Sequence, residues 1–337
     1  MLEADRLELA TDVISARAAT ENFPVALRIL SADQRRHLMA IYRFARLTDQ
    51  IGDAAHGSRL AMLDDLQRQV DSCVDAPTRL KDGVLHPIIE ALSPTIRECG
   101  LPIGPFHRLI DANRLDQVKH RCENYQELLD YCDLSANPVG ELVLYVFDTA
   151  TSERIRQSDA VCTGLQLVEH WQDVKEDYAA GRIYLPSEDL VKFGCREEEL
   201  GAETASRALR ELLRFECERA HGLLDEGVPL VQSLRGRARL AIGGFVAGGR
   251  AALDAIARNN YDVMGGAPRA RRRDFARRYF GMLFAPTRVE TRDDAPADRH
   301  RRWWTRETQC GGRVRRCGRA SHALRGAHAT RRRDLVE

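Results

Sequence analysis

Apolar residues recur along this chain with the period of an α-helix. Leu38, Ile41, Tyr42 and Ala45 follow the i, i+3, i+4, i+7 spacing that places side chains on one helical face. The pattern returns further along the chain at Leu60, Leu63, Leu66, Val70, Leu209, Leu212, Leu213, Leu223 and Leu224. No stretch sustains the apolar–polar alternation of a strand, and no Asn-Gly or Asp-Gly turn lies between β-branched runs. The pattern predicts an all-α fold.

Helix-breaking residues divide this pattern into roughly eight to ten helices with short connections. The breaks fall at 76–77, 93–94, 100–105, 137–138, 184–187 and 265–268. No internal repeat is visible, and no linker separates two domains before Pro286. We therefore expect a lead-in over residues 1–19, a single-domain helical bundle over 20–285, and an arginine-rich tail over 286–337.

Composition narrows the class of protein. With 337 residues, of which 44% are hydrophobic, the chain can bury a large core. The uncharged apolar run Leu240 to Gly249 is too short to span a bilayer, and charges scattered through the first thirty residues exclude a signal-peptide core. Nine cysteines without a CxxC pair suit a reducing compartment. These features predict a cytoplasmic protein.

The net charge of +1 is unevenly distributed. Residues 286–337 hold 14 arginines against 7 acidic residues, a charge of +7, so the rest of the chain carries −6. Such a tail is typical of a disordered, solvated extension, with adhesion to an anionic membrane surface or nucleic acid as the alternative. Because the tail has no periodic apolar face, we build no partner on it and predict no nucleic-acid partner.

The chemistry is concentrated in two stretches that carry acidic residues on one helical face. Tyr42, Arg46, Asp49 and Asp53 are four, three and four residues apart, so they share a face. The two carboxylates lie one turn apart, about 6 Å along the axis. In the second stretch, Gln166, Glu169, Asp173 and Asp177 share a face. The opposite face supplies apolar residues to the core, namely Leu165, Val168, Trp171 and Val174.

A polar stripe on a helix is usually only its solvated side. These two stripes differ because neither has the Lys or Arg at i+4 that an exposed acidic face normally recruits. Unpaired carboxylates 4 to 6 Å apart repel by about 3–4 kcal/mol per pair at an effective dielectric of 20. A divalent cation relieves that repulsion, and oxygen ligands suit Mg²⁺. Arg46 beside Asp49 fits a diphosphate held jointly by metal and guanidinium.

The sequence around these stripes resembles the squalene/phytoene synthase family. Residues 165–186, which end in Gly-Arg-Ile-Tyr-Leu-Pro, look like its second aspartate-rich motif. Asp49 and Asp53 match the first motif, and residues 131–140 match the central block. Residues 21–26, Glu-Asn-Phe-Pro-Val-Ala, resemble the hydroxysqualene synthase branch of bacterial hopanoid biosynthesis, called HpnC.

This likeness runs from about Thr20 to about Phe284 and departs from the family pattern at two motif positions. Gln50 stands where the first motif usually has a second Asp, and Glu169 stands where the family usually has Asn. Since position 50 lies about 100° from position 49 on a helix, we expect Asp49 and Asp53 to bind metal without it. Glu169 keeps an oxygen ligand and adds a negative charge.

The resemblance implies a closed helical bundle whose two acidic helices face each other across the mouth of a central cavity. It implies that Mg²⁺ ions bridge these helices to a substrate diphosphate. The implied metal ligands are Asp49, Asp53, Glu169, Asp173 and Asp177. The implied catalytic residues are Tyr42, Arg46, Asp49, Asp53, Asp173 and Asp177. The implied substrate-binding residues are Phe23, Arg46, Arg121, Tyr131, Gln166 and Arg182.

Several neighbouring residues have less specific assignments. Among aromatic residues that could stabilise a carbocation, we expect Tyr42 and Tyr131 in the pocket. Arg121 and Tyr125 are expected near the diphosphate, and Asp116 is expected to be a structural partner. Histidines on predicted helices are expected to be structural or exposed, namely His37, His170 and His221. Aromatic residues expected in the plain core are Phe44, Phe147 and Trp171.

For the HpnC-like branch, the implied reaction is Mg²⁺-assisted ionisation of presqualene diphosphate, with water capturing the rearranged cation to give hydroxysqualene. The alternatives are the joining of two farnesyl diphosphates to presqualene diphosphate or squalene, and the analogous synthesis of phytoene. A non-catalytic helical assembly or binding protein on the same fold is the alternative of another class. No glycine-rich nucleotide loop follows a strand, so we predict no NADPH site. Because the implied substrate is hydrophobic, we expect peripheral contact with the inner face of the membrane. Other hopanoid-pathway enzymes are candidate partners.

Overall fold

The computed structural model describes residues 29–55, 57–73 and 85–284. Within these ranges the chain forms thirteen α-helices, one short 3₁₀-helix at Glu197–Gly201 and no strand. The predicted all-α fold is confirmed. The helices are α1 Ala32–Ala54, α2 Arg59–Asp71, α3 Pro87–Cys99, α4 Gly104–Leu115, α5 Tyr125–Ser135, α6 Asn137–Val146, α7 Ser152–Gln172, α8 Val174–Ala179, α9 Ser187–Phe193, α10 Arg207–Glu226, α11 Val228–Ser233, α12 Gly236–Arg258 and α13 Arg272–Leu283.

Four sequence predictions fall outside the described residues. They are the lead-in over 1–19, the helix break at 76–77, the tail over 286–337, and the substrate-binding residue Phe23 with its surrounding Glu-Asn-Phe-Pro-Val-Ala segment. The domain boundaries at residues 20 and 285 also lie there and stay predictions.

The helices outnumber the expected eight to ten because three of them, α8, α9 and α11, have only six or seven residues. The predicted break at Pro94 is wrong, since Pro94 lies inside α3. Proline at this position cannot donate a backbone hydrogen bond. Burial of the apolar face of α3 stabilises the helix by more than that missing bond costs. The buried residues of α3 are Ile88, Ile89, Leu92, Thr95 and Ile96. Helix α3 instead ends at Gly100, whose φ of 59° is left-handed.

Three groups of buried side chains hold the helices together. The first joins α1 to α4 and includes Phe44, whose ring meets Phe106 edge-to-face at 5.1 Å between centroids. The second surrounds the fully buried Trp171 on α7. The third packs α11, α12 and α13 against α6 and α7. Helix α7 contributes to both the second and the third group and therefore links them. Its C-terminal end carries the second acidic motif.

Helix α12 is 23 residues long, with a mean hydropathy of 1.4 over its most apolar window. Among the helices of the described ranges, it alone is long and apolar enough to cross a membrane. The uncharged run Leu240 to Gly249, considered in the sequence analysis, is only part of this apolar helix. Within the fold, 56% of that window is buried. Core helices show the same burial, so length and composition alone do not assign α12 to a membrane.

Candidate active site

Two hydrogen bonds of Arg182 join the two acidic motifs. Its backbone N–H donates to the carbonyl oxygen of Asp177 at 2.8 Å. Its guanidinium Nη1 donates to Oδ1 of Asp53 at 2.9 Å. Asp53 lies in the last turn of α1, and Asp177 lies on α8. Arg182 therefore fastens the loop after α8 to the C-terminal end of α1, and it brings the two motifs to one place.

The first motif is organised around Asp49. Nη1 of Arg46 lies 3.6 Å from Oδ2 of Asp49, and Nε of Arg46 donates to the Tyr42 hydroxyl at 3.3 Å. From α4, Nδ2 of Asn113 donates to Oδ1 of Asp49 at 3.4 Å. Tyr42, Arg46 and Asp49 thus form one chain of contacts along α1. Gln50, about 100° from Asp49 around the helix, is exposed.

Close packing of α1 on α4 depends on Gly52. A Cβ atom at this position would lie 2.3 Å from Oδ1 of Asn113, a distance that real side chains do not tolerate. The Gln117 side-chain amide spans the same contact, donating at 3.0 Å to the backbone oxygens of both Gly52 and Asn113. The absence of a side chain at position 52 therefore lets α4 present polar groups to the aspartates of α1.

The second motif is not one continuous helix, contrary to the sequence prediction. Helix α7 ends at Gln172, α8 begins at Val174, and Asp173 between them has φ −106° and ψ 18°. These angles depart from helical values and bend the chain at the acidic residue itself. The backbone N–H of Asp173 still donates to the carbonyl oxygen of Glu169 at 3.0 Å. The backbone N–H of Asp177 donates to the carbonyl oxygen of Asp173 at 2.8 Å. The three carboxylates therefore still follow one another along one side of the bend.

Electrostatics differ along this motif. Desolvation, followed by the nearby carboxylates of Asp177 and Glu176, raises the pKa of Asp173. Glu169 and Asp173 are exposed, whereas Asp177 is half-buried. A cation bound beside Asp173 would offset the charges of the neighbouring carboxylates, which raise the pKa of Asp173.

Behind the second motif lies a stack of three rings. The His170 ring stacks on Tyr184 with 3.8 Å between centroids, and Tyr184 lies 5.4 Å from Tyr131. A ring nitrogen of His170 lies 3.2 Å from Nε2 of Gln166, and the other lies 3.8 Å from Oδ2 of Asp177. Burial lowers the pKa of His170, which favours its neutral form. His170 is buried and its ring lies beside the metal-ligand candidate Asp177, which agrees with the predicted structural role.

Asp116, expected to be only a structural partner, lies in the site. Its Oδ2 accepts a hydrogen bond from the Tyr131 hydroxyl at 3.1 Å. Burial raises the pKa of Asp116 to about 6, and the charges of Asp53 and Asp49 act in the same direction. The Tyr131 hydrogen bond and the Arg182 charge oppose that rise. Asp116 therefore belongs to the electrostatic environment of the first motif.

Arg121, a predicted substrate-binding residue, lines the pocket of the site and is also held by hydrogen bonds within the protein. Its Nη1 donates to the carbonyl oxygens of His120 and Gly181 at 2.9 and 2.8 Å, and Nη2 lies 3.4 Å from Glu197. These bonds accompany an isolated bridge that pairs Arg121 with Ile183. Arg121 therefore holds the loop that carries Arg182, because its donors are already engaged with backbone oxygens.

Tyr125, also expected near the diphosphate, packs against the protein core. Its ring is covered by the Arg219 guanidinium at 4.1 Å and packs into the core group around Trp171. Trp171 and Phe44 are fully buried, and Phe147 is partly buried between two core groups. These three aromatic residues are core residues, as expected.

A pocket lies beside Asp116, Tyr131, Arg182 and Tyr184. Its wall combines charged residues with the rings of Tyr131 and Tyr184, and Nε of Arg182 is buried there without a hydrogen-bond partner. The lining residues are Leu115, Asp116, Lys119, His120, Arg121, Cys122, Glu127, Tyr131, Arg182, Ile183 and Tyr184. Such a pocket can receive an anionic group beside an arginine and an apolar group beside the rings.

Across the described ranges, no three His, Cys, Asp or Glu side chains are grouped closely enough to enclose a metal ion by themselves. The donors that the two motifs present are all carboxylates, and hard cations prefer oxygen donors. Mg²⁺ commonly takes one or two carboxylates and completes its shell with water and substrate phosphates. The paired aspartates therefore fit Mg²⁺ that a diphosphate helps to hold.

Sequence reasoning gave no role in the site to four residues that the structure brings there: Asn113, Asp116, His170 and Tyr184. Asn113 and Asp116 are three residues apart, a spacing that puts polar groups on one face of α4 and its C-terminal cap. That spacing was a usable signal. No local pattern indicates that His170 and Tyr184 stack, because they lie on different elements.

Comparisons with known proteins agree with this architecture. Residues 16–280 match the squalene/phytoene synthase family. The chain is 34% identical over 219 residues to the hydroxysqualene synthase of Rhodopseudomonas palustris, covering 64% of this chain and 72% of that one. It is 30% identical over 239 residues to the phytoene synthase of Mycobacterium bovis, covering 69% and 76%.

Solved structures show the same similarity. The squalene synthase HpnC of Alicyclobacillus acidocaldarius superposes with a TM-score of 0.67 at 37% identity, covering 76% of this chain and 96% of that one. A dehydrosqualene synthase shares the fold, with a TM-score of 0.70 at 20% identity and coverage of 83% and 97%. The predicted family is confirmed: the chain belongs to the squalene/phytoene synthase family, whose members are prenyl diphosphate-processing enzymes.

Proposed function

We propose that the protein is a Mg²⁺-dependent hydroxysqualene synthase, which ionises presqualene diphosphate and lets water capture the rearranged cation. The observation that carries the chemistry is the Arg182 link between the two acidic motifs. The choice of reaction is supported by the 34% identity to hydroxysqualene synthases of Rhodopseudomonas palustris and Sinorhizobium fredii. The 37% identity to an HpnC structure supports the same branch.

In this proposal the diphosphate sits beside Arg182 and Arg46. The buried, unpartnered Nε of Arg182 is a donor still available to a phosphate oxygen. Arginine presents several N–H groups in a fixed fork, which suits phosphate better than a point charge. As the C–O bond of the substrate breaks, negative charge grows on the departing diphosphate. Donors already positioned at that charge lower the barrier.

The metal-holding residues would be Asp49 and Asp53 on one side and Asp173 and Asp177 on the other, with Glu169 as a further oxygen donor. Mg²⁺, when bound there, would neutralise the diphosphate and make it a better leaving group. Asn113 and Arg46 orient Asp49, while the His170 ring backs Asp177.

The hydrocarbon part of the substrate would lie against the ring stack. Tyr131 and Tyr184 offer aromatic faces, which stabilise a nearby cation by about 1–2 kcal/mol each when water is excluded. Burial raises the pKa of both phenols, so they remain neutral and do not add charge beside the cation. The cation then persists long enough to rearrange before water captures it.

The direct test is incubation of the purified protein with presqualene diphosphate, and separately with farnesyl diphosphate, each with Mg²⁺ and with EDTA. Mass spectrometry identifies the products. We expect hydroxysqualene from presqualene diphosphate with Mg²⁺ only. Formation of presqualene diphosphate or squalene from farnesyl diphosphate would move the protein to a sister reaction.

The sister reactions are supported by one observation, the 30% identity to phytoene synthases. The same acidic motifs would serve the joining of two farnesyl or two geranylgeranyl diphosphates. Geranylgeranyl diphosphate therefore belongs in the assay as a third substrate, and phytoene as its product would favour this alternative.

A non-catalytic helical binding protein is the alternative of another class. Asp173→Ala separates it from the enzyme, with Glu198→Ala on the exposed 3₁₀-helix as the matched control. We expect Asp173→Ala to abolish both turnover and Mg²⁺-dependent binding of diphosphate measured by calorimetry, with Glu198→Ala unchanged. Equal Mg²⁺-dependent binding by both variants, with no turnover by the wild type, would favour the binding protein.

A further inference from the structure

The outer face of α13 exposes arginines and phenylalanines to solvent, although Nη2 of Arg277 also pairs with Oδ2 of Asp254 at 3.6 Å. Arg273, Arg277, Phe280 and Phe284 are four, three and four residues apart, so they lie on one face. The side chains of Arg273 and Arg277 are 75% and 69% exposed. Phe280 and Phe284 are 54% and 79% exposed, and their rings stack on each other at 6.2 Å. We call these four residues, with the exposed Arg271 and Arg272, the α13 stripe.

The opposite face of α13 holds the helix to α12. Asp274 and Met282 are buried, and Asp274 accepts a hydrogen bond from Arg258 at 2.6 Å. Arg278 donates twice to Asp254, at 2.7 and 3.0 Å. Because the inner face supplies the anchoring contacts, the exposed phenylalanines are not needed to keep α13 in place.

The loop before the stripe touches the second acidic motif. Nε2 of Gln172, the residue before Asp173, lies 3.4 Å from the carbonyl oxygen of Pro268. Pro268 is followed at once by the exposed Arg269 and then by Arg271 and Arg272. The basic end of the α13 stripe therefore begins beside the candidate active site.

We propose that the α13 stripe binds the surface of an anionic lipid bilayer. Guanidinium groups pair with lipid phosphates, and each basic residue near such a surface contributes favourably. Phenylalanine rings insert at the boundary of headgroups and acyl chains. The arginines at one end of the stripe would contact the lipid phosphates. The two exposed rings at the other end would contact the acyl chains.

A second copy of the chain fits the stripe less well. A symmetric dimer through this face would bring identical arginine rows together, and like charges facing each other cost binding energy. A bilayer also explains the position of the stripe, because the site beside it would meet lipid-borne substrates at the membrane surface. That last step rests on the proposed function, whereas lipid binding itself does not.

Vesicle co-sedimentation of the full chain tests the proposal without any turnover. The vesicles are phosphatidylcholine alone and phosphatidylcholine mixed with phosphatidylglycerol. The wild type should bind the anionic vesicles, less tightly as salt rises. Phe280→Ser combined with Phe284→Ser should weaken binding by about tenfold or more. Arg272→Gln combined with Arg273→Gln should weaken binding to the anionic vesicles but not to the vesicles of phosphatidylcholine alone.

Matched controls come from another surface. Val191 is 80% exposed on α9, and the Arg207 side chain is 93% exposed at the start of α10. Val191→Ser and Arg207→Gln should bind vesicles as the wild type does, and circular dichroism should show every variant folded.

Four results would overturn the proposal. The wild type could fail to bind anionic vesicles, or the Phe280/Phe284 variant could bind them as tightly as the wild type. The wild type could instead form a dimer in light scattering that the Phe280/Phe284 variant loses, or bind an oligonucleotide in preference to vesicles.

Discussion

The Arg182 guanidinium donates to the carboxylate of Asp53 at 2.9 Å although 129 residues separate them along the chain. Arg182 also holds the Asp177 carbonyl oxygen through its backbone N–H. The same residue thus contacts one aspartate of each motif, and its buried Nε has no hydrogen-bond partner within the protein. In the proposed function, this arginine both links the two motifs and binds the diphosphate.

Replacing Arg182 with Gln should reduce kcat/KM for the prenyl diphosphate substrate by about 100-fold or more, because a positioned charged donor to the leaving group is lost. The melting temperature should change little, since the ion pair with Asp53 is partly exposed. Steady-state kinetics and thermal unfolding measure the two effects. Arg196→Gln, whose side chain is 78% exposed and pairs within its own loop, is the control. Wild-type kcat/KM in Arg182→Gln would refute the role.

Gly52→Ala should destabilise the protein by about 1–3 kcal/mol, because the new methyl group overlaps Oδ1 of Asn113. Displacing Asn113 also removes its bond to Asp49, so activity should fall. Gly222→Ala in α10 is the matched control, since a methyl group there meets nothing within 4 Å. That control should gain about 0.5–1 kcal/mol from helix propensity. Urea unfolding of both variants is the measurement, and equal stabilities would contradict the packing argument.

Two buried acids share one arginine away from the active site. Nη1 of Arg219 donates to Asp189 at 2.6 Å and to Glu216 at 3.0 Å, and Glu216 is fully buried. Burial raises the pKa of Glu216 from 4.5 to about 8, even though the Arg219 charge acts to lower it. Folding therefore keeps a proton on Glu216 that the unfolded chain releases at lower pH.

Because the folded-state pKa of Glu216 is raised, its contribution to stability is full below pH 4.5 and is lost as pH rises towards 8. The loss can reach about 1.4 kcal/mol per pH unit. Glu216→Gln cannot ionise, so its stability relative to the wild type should increase with pH across this range. Urea unfolding at a series of pH values measures the trend, with the half-exposed Glu211→Gln as the control. Parallel curves for Glu216→Gln and wild type would exclude the predicted linkage.

Tyr131→Phe should raise the pKa of Asp116 above its value of about 6, because the hydroxyl that lowers it is removed. Carbon-13 NMR titration of the aspartate carboxyl groups measures this shift. Tyr279→Phe, which removes a hydroxyl bonded to the Leu240 carbonyl oxygen, should leave Asp116 unchanged. An unaltered titration of Asp116 in Tyr131→Phe would show that the hydrogen bond does not tune this carboxyl.

Much of the fold could be predicted from local periodicity. The apolar spacing at Leu38 and Ile41 predicted α1, and Leu63, Leu66 and Val70 are buried on α2 as their spacing requires. The predicted helix break at Pro94 was wrong because proline was judged only by its effect on the local backbone. Packing of the apolar face of α3 stabilises the helix by more than one missing hydrogen bond destabilises it. The bend at Asp173 also escaped periodicity, since the residues on both sides keep the helical spacing.

The sequence by itself determined the all-α class, the four aspartates and the likeness to squalene/phytoene synthases, because each of these is written in short-range spacing. Only the tertiary structure decided which groups meet. Arg182 reaches Asp53, Asn113 reaches Asp49, His170 stacks on Tyr184, and Arg121 is engaged by backbone oxygens. Such contacts depend on how separate helices pack, and helical period sets only the direction of a side chain around its own axis, not the neighbour it finds there.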